Sequence, residues 1–506
     1  MIFVFHKNNK VVKVTQNYLE ISFEKMEVVN ALFLLAKKHK KEHIVWCHID
    51  FEPDLNYNFI AALSLSNPTI LSYNPYLNNY LNSKLGYIDQ NSILKVNKKV
   101  RFQTWQMHES VGIISSDLLL KIEKHDTDTT NFNYFLNAIA NRTFMNGVLC
   151  YSEPQLLNNL ALNTSASSTD KELFKFVKQH YNLKWFFLLF FSVFLFERKI
   201  LLLPFLQALF YKRKPIIKED FISEVFEKNV TISNCSIDVV IPTIGRASYL
   251  KDFLVDLKQQ EVLPNSVIIV EQNPNVTAES ELSYLSNETW PFKIIHQFIS
   301  QTGACHARNL ALQEISSEWV FFSDDDIRIA PDFLKKAVQK IKCLEANAVL
   351  FSCLLKNQKA TFLLPHQTAV FGSGCTMVKA EFASKINFDT KYEFCFGEDT
   401  DYGMKLKHLG TDVIYLPQPE ILHIKAPIGG FRTPPKYLWS EAVIQPKPSP
   451  TILLNLLRYA TPEQQKGYKM VYFMKSLNWK QPIQSIKENQ AHWKSSLFWA
   501  NKLENM

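Results

Sequence analysis

Glu318-Trp-Val-Phe-Phe-Ser-Asp324-Asp325-Asp326-Ile-Arg-Ile-Ala-Pro331-Asp332 is an apolar run that ends in three adjacent carboxylates. Trp319 to Ser323 reads as a buried strand, which leaves the triplet at its carboxyl end. Carboxylates packed this closely repel one another, and a hard divalent cation with oxygen ligands relieves that repulsion. The competing reading of the triplet alone is an acidic loop solvated by water.

The segments on either side give the triplet its setting. Ile237-Asp-Val-Val-Ile-Pro242-Thr243 predicts a buried parallel strand, and Ala247 to Gln260 the helix after it. Ser266 to Glu271 and Phe292 to Phe298 predict two more strands, and Ala304 to Ile315 another helix. After the triplet come a helix to Leu344, a strand from Ala348, and Gly372-Ser-Gly374 before the strand Cys375 to Val378. Gly397-Glu398-Asp399-Thr-Asp401-Tyr402 opens a helix that Gly410 stops, and His423 follows the last strand. Strands alternating with helices imply an α/β fold with a mostly parallel, Rossmann-like sheet, whose ligands bind at the carboxyl ends of the strands. Pro242, Thr243, Glu271 and Asp324 all fall at such ends.

The 506 residues suffice for two or three domains, and 47% are hydrophobic. A net charge of +8 suits anionic substrates or an anionic membrane surface; a nucleic-acid partner is not expected. Eight cysteines without a Cys-x-x-Cys pair argue for a reducing compartment and against a zinc site. The amino terminus lacks the pattern of a signal peptide, so a cytoplasmic location is expected.

Each acidic element is ambiguous alone, and together they could make a reaction site. Glu398, Asp399 and Asp401 begin a helix, whose dipole favours their charged form, and an ionised carboxylate there can take a proton from an attacking hydroxyl. Ordinary helix capping is the competing reading for Glu398-Asp399. His423 reads either as a core histidine or, as a neutral imidazole, as a metal ligand.

In order and spacing, Val239-Val-Ile-Pro-Thr-Ile-Gly-Arg246, Gly303-Ala-Cys-His-Ala-Arg308-Asn309, Asp324-Asp325-Asp326, Gly397-Glu398-Asp399-Thr-Asp401 and His423 resemble the family 2 glycosyltransferases of the GT-A fold. The resemblance spans about residues 236 to 425. It implies inverting transfer of a sugar from a nucleotide-diphosphate sugar, a UDP-sugar above all, to an acceptor hydroxyl in polysaccharide or lipid-linked glycan synthesis. It also implies roles. Pro242, Thr243, Arg246 and Glu271 would line the base and ribose pocket, with Arg308 near the phosphates. Asp324 and Asp325 would bind the nucleotide sugar. Asp326 and His423 would hold Mn²⁺ or Mg²⁺, Asp399 would be the base, and Glu398 would contact the acceptor. Asp401 and Arg432 are assigned to the acceptor side. Ile244-Gly245 and Glu271-Gln272 depart from the family's commoner aromatic-Asn and Asp pair, so the base and the sugar stay open. Two other readings are an Asp-x-Asp phosphohydrolase and a non-catalytic glycan-binding scaffold.

The expected organisation is a degenerate GT-A-like domain over 1–165, a helical linker over 166–235, the catalytic GT-A domain over 236–430 and a helical extension over 431–506. In the first block, Ile44 to Asp50, Asn131-Phe-Asn133-Tyr134 and Val148 to Leu157 echo the strand before Asp324, Asp399 to Tyr402, and Val413 to Leu422. Amides replace the acids and Asn158 stands for His423, so such a copy has no general base. Chance similarity is the alternative. Within the linker, Trp185 to Phe196 and Ile200 to Tyr211 are apolar, split by Glu197-Arg-Lys199. Each run is too short for a span of roughly twenty residues. Residues 185–214 therefore predict either a hairpin or in-plane helix entering the inner leaflet of the cytoplasmic membrane, or a buried helical pair between domains.

Overall fold

The structure is a computed structural model, describing all residues except 18, 66, 91–94, 127–128, 160–166, 227–234 and 428–436. It falls into two units: residues 1–225 with 459–475, and residues 226–458 with 476–506.

In the second unit, Val239, Val240 and Ile241 are fully buried, as are Val267 to Val270. Strands covered on both faces read as unbroken apolar runs, and these two lie at the centre of a parallel array. Ile237–Thr243 pairs in parallel with Ser266–Gln272 on one side and Trp319–Ser323 on the other; Lys293–Ile299 extends the array. Beyond Trp319–Ser323 the sheet is mixed. Cys375–Lys379 runs antiparallel between Trp319–Ser323 and Ala348–Leu355, and Val413–His423 then pairs in parallel with Ala348–Leu355. Val413–His423 is one long strand that includes His423 rather than ending before it, irregular where Phe351 and Cys353 face it. Helix Ala247–Lys258 buries Leu250, Phe253, Leu254 and Leu257, the i, i+3, i+4, i+7 stripe of a helix lying on a sheet.

Helix Glu398–His408 is held under the Asp324 strand by aromatic packing. Tyr402 is fully buried, stacks on Phe388 at 4.2 Å between ring centres, and packs against Phe371 and Phe322. Phe371 is therefore a core residue.

The first unit repeats this plan. Its strands Ile2–Lys7, His43–His48, Val111–Ser115, Thr69–Tyr73 and Leu149–Ser152 stand side by side in that order. Their counterparts are Ile237–Thr243, Trp319–Ser323, Cys375–Lys379, Ala348–Leu355 and Val413–His423, and every pairing has the same direction in the two sheets. The difference lies outside the first strand. There an antiparallel hairpin, Lys10–Gln16 with Leu19–Ile21, replaces the parallel pair Ser266–Gln272 and Lys293–Ile299. Cys47 faces Val111 as Ser323 faces Cys375, which puts His48-Ile49-Asp50 where the second unit has its acidic triplet. Asn131 accepts from the Tyr134 N–H as a helix cap, and Asn133 accepts from the Glu109 N–H.

The apolar segment 183–209 forms two helices, Leu183–Glu197 and Leu202–Leu209, in the first unit. Phe186 stacks on Phe205 at 4.7 Å, and both pack on Phe174. Glu197, which interrupts the apolar run, turns inward: Tyr87 Oη donates to it at 3.4 Å, and Lys84 lies 4.0 Å away. Among the described residues, no helix is long and apolar enough to cross a membrane.

Candidate active site

A cavity of about 470 Å³ opens at the carboxyl ends of the parallel strands. Pro242, Thr243, Arg246, Arg308, Asp324, Asp325, Glu398, Asp399 and His423 all line it. The three residues of the triplet have three different environments. Asp324 is partly exposed and takes a hydrogen bond from Arg308 Nη2 at 3.0 Å. Gly374 makes room for it: a Cβ there would come within 2.2 Å of the Asp324 carboxylate. Asp325 is buried and accepts from Thr243 Oγ1 at 2.7 Å and Arg246 Nη1 at 2.6 Å. Burial pushes it up to about 6 against the pull of Arg246 and Thr243. Its side chain thus organises Thr243 and Arg246.

Asp326 keeps its charge. Burial works against its charge, but His423, the Ala426 N–H and Arg246 outweigh burial and hold it at about 2. Its Oδ1 lies 3.5 Å from His423 Nε2, and its Oδ2 accepts from Ala426 N at 3.0 Å. The hydrogen bond to Asp326 in turn raises the proton affinity of His423.

Asp399 accepts from the Ser373 N–H at 3.2 Å. Its helix-terminal position was expected to keep it strongly ionised. Burial wins instead, pushing Asp399 up to about 6, with Arg308 opposing and Glu398 reinforcing. Burial raises Glu398 as well.

Other assignments fall elsewhere. Gln272 lines the cavity, whereas its neighbour Glu271 is buried and accepts from Ser280 Oγ at 2.5 Å and the Glu281 N–H at 2.9 Å. Asp401 does not stand on the acceptor side. It is fully buried and forms ion pairs with Lys405 at 2.7 Å and Arg458 at 3.1 Å. Arg432 lies outside the described residues.

Residues 238–402 match the family model described as Glycosyl transferase family 2. The chain carries a glycosyl transferase family 2 domain. No curated protein matches the chain. Among solved structures, S. aureus TarS is 18% identical, over 38% of this chain and 37% of that one, at a TM-score of 0.32. TarS 1-349 in complex with UDP-GlcNAc is 16% identical, over 52% and 79%, at 0.36. GalNAc-T7 with UDP, GalNAc and Mn²⁺ is 13% identical, over 38% and 44%, at 0.33. The chain spans little more than a third of the first TarS chain that it matches. These likenesses are too distant to bear on substrate.

The family 2 domain suits a divalent cation on its own chemistry. Asp324, Asp325, Glu393, Glu398 and Asp399 line a cavity whose lining arginines are Arg246 and Arg308. A nucleoside diphosphate entering alone would meet net repulsion. Asp326 Oδ1 and His423 Nε2 share a proton here and would become two ligand atoms only when a cation displaces it, and Mg²⁺ or Mn²⁺ is commonly held by one or two carboxylates plus substrate phosphates. No cluster of three or more His, Cys, Asp or Glu side chains fit for a metal occurs among the described residues. A cation here would therefore depend on phosphate oxygens and water for its remaining ligands.

Two features of the second unit escaped the sequence reading. Glu393 accepts from the Cys305 and His306 N–H groups at 3.1 and 3.0 Å, joining the cavity wall to the start of helix Ala304–Leu312. The signal was a glutamate five residues before Glu398, hidden among aromatics. The other is Arg458, which bonds Asp389, Asp401 and Glu504 at once. Arg458→Met should lower stability by about 3 kcal/mol, because it strips a buried carboxylate of a partner. A lowered Tm in calorimetry checks this, and an unchanged Tm refutes it.

Proposed function

We propose that this chain is an inverting glycosyltransferase that moves a sugar from a nucleotide-diphosphate sugar to an acceptor hydroxyl of a polysaccharide or lipid-linked glycan. The observation that carries this reading is that Asp399, poised at about 6, lines the same cavity as Asp324, Arg308 and His423. A base works best when its pKa sits near the operating pH.

In the proposed step, Asp399 takes the proton of the acceptor hydroxyl. The acceptor oxygen bonds to the anomeric carbon from the face opposite the diphosphate, and the bond from that carbon to the diphosphate oxygen breaks with its electron pair. Arg308 orients the donor beside Asp324, while Asp325 holds Thr243 and Arg246 ready for the nucleotide. Glu398 hydrogen-bonds the acceptor. Mn²⁺ or Mg²⁺ held by Asp326 and His423 would supply neutralisation of the diphosphate charge.

The purified chain should turn over a UDP-sugar, by transfer or slow hydrolysis, only with Mn²⁺ or Mg²⁺ present. Turnover of no nucleotide sugar across a panel would reject the reading. Because Asp399 must be ionised, kcat/KM should rise about tenfold per pH unit below 6 and level off above it. A profile flat between pH 5 and 8 would remove Asp399 from the role.

A further inference from the structure

The helices Leu183–Glu197 and Leu202–Leu209 each bury one side in the first unit and leave the other bare. On the longer helix Phe187, Phe191 and Phe194 recur at the spacing of one helical face, and all are exposed. On the shorter, Leu203 and Leu206 do the same, continued by Phe210 at its C-cap, which is 89% exposed. Exposed Lys184, Arg198, Lys199, Lys212 and Arg213 bracket these stripes. Glu197 is drawn inward by Tyr87 and Lys84 and lies 3.8 Å from Lys199, so it offsets only one of the five. Lys214 does not join the basic rim, because it is held by Asp126 at 2.9 Å and by Thr129.

We propose that this helical pair docks in the plane of an anionic lipid surface, its apolar stripes among the acyl chains and its five basic side chains among the headgroups. Short helices with an exposed apolar face and a basic rim suit one leaflet, and neither helix is long enough to span. Charge selects lipid over a second copy of the chain. A two-fold interface would press the same basic rim against itself, whereas anionic headgroups neutralise it. The docking stands apart from the catalytic reading.

The test is sedimentation of the full chain with vesicles of phosphatidylcholine, with and without phosphatidylglycerol. Binding should favour the anionic vesicles and weaken with salt. The triple change Lys199→Ala, Lys212→Ala and Arg213→Ala should lower anionic-vesicle partitioning by about a hundredfold. Phe191→Ser with Leu203→Ser should lower it by at least about tenfold. All five positions are exposed, so circular dichroism should be unchanged for both variants, and UDP-sugar turnover without lipid should match the parent. Equal binding to neutral and anionic vesicles would overturn the proposal, as would a parent chain that stays in the supernatant. Lipid-free self-association that Phe191→Ser with Leu203→Ser abolishes would assign the face to a second copy instead.

Discussion

Asp399→Asn is expected to slow sugar transfer by about 10²- to 10⁴-fold while nucleotide affinity stays close to that of the parent. The amide keeps the size of the carboxylate, and its oxygen can still accept the Ser373 N–H that fixes the parent side chain. Helix Glu398–His408 remains anchored by Tyr402 against Phe388. What is lost is proton affinity in a group that burial has raised to about 6. Single-turnover kinetics beside nucleotide titration separate the two quantities. Equal loss of rate and affinity would make Asp399 a structural residue.

Removing the cation should have an effect of similar size. Chelation should stop turnover, and Asp326→Ala should lower kcat/KM by at least about a hundredfold at moderate Mn²⁺. Asp326, at about 2, is charged at any working pH, so its ligand strength does not vary with pH. It also accepts from Ala426 N and lies 3.3 Å from Arg246, so its loss could act through the nucleotide pocket. His423→Ala is the control, since His423 lies beside Asp326 Oδ1, away from the Ala426 contact on Oδ2. Both variants should weaken Mn²⁺ binding, measured by calorimetry with UDP present. Full activity in chelator would refute the cation's part.

The parallel strands and the residues at their ends were legible because each signal is local. Val239 to Ile241 are apolar without a break, and Trp319–Ser323 runs straight into its acids. Asp401 shows where such reading stops. It sits in a run of acids at a helix start, and its neighbours suggest a substrate contact. The residue that decides its role is Arg458, 57 positions later, in a helix that carries no sign of the pairing. The pKa of Asp399 is of the same kind. The helix terminus is visible in the sequence; the burial that outweighs it is tertiary, set where the Ser373 turn meets the carboxylate. In the first block, the short matches fall on strands that hold the same places in the two sheets. The hairpin that replaces the nucleotide-side strands was not foreseen, since Lys10–Gln16 reads as a strand whichever way it pairs.

The path of the polypeptide bars any simple dissection of the molecule. After Arg458 the chain lends Tyr459–Lys475 to the first unit and then goes back to the second. A stop codon placed just past the family-matched stretch would injure both folding bodies. The first would lose Gln464, whose amide donates to the Asp89 carbonyl, and Gly467, where even a methyl group would collide with the Tyr87 carbonyl. The second would lose the guanidinium that neutralises Asp401. The two sheets share one plan of strands, but neither unit is encoded by a single unbroken stretch of chain, so neither can be expressed whole without part of the other.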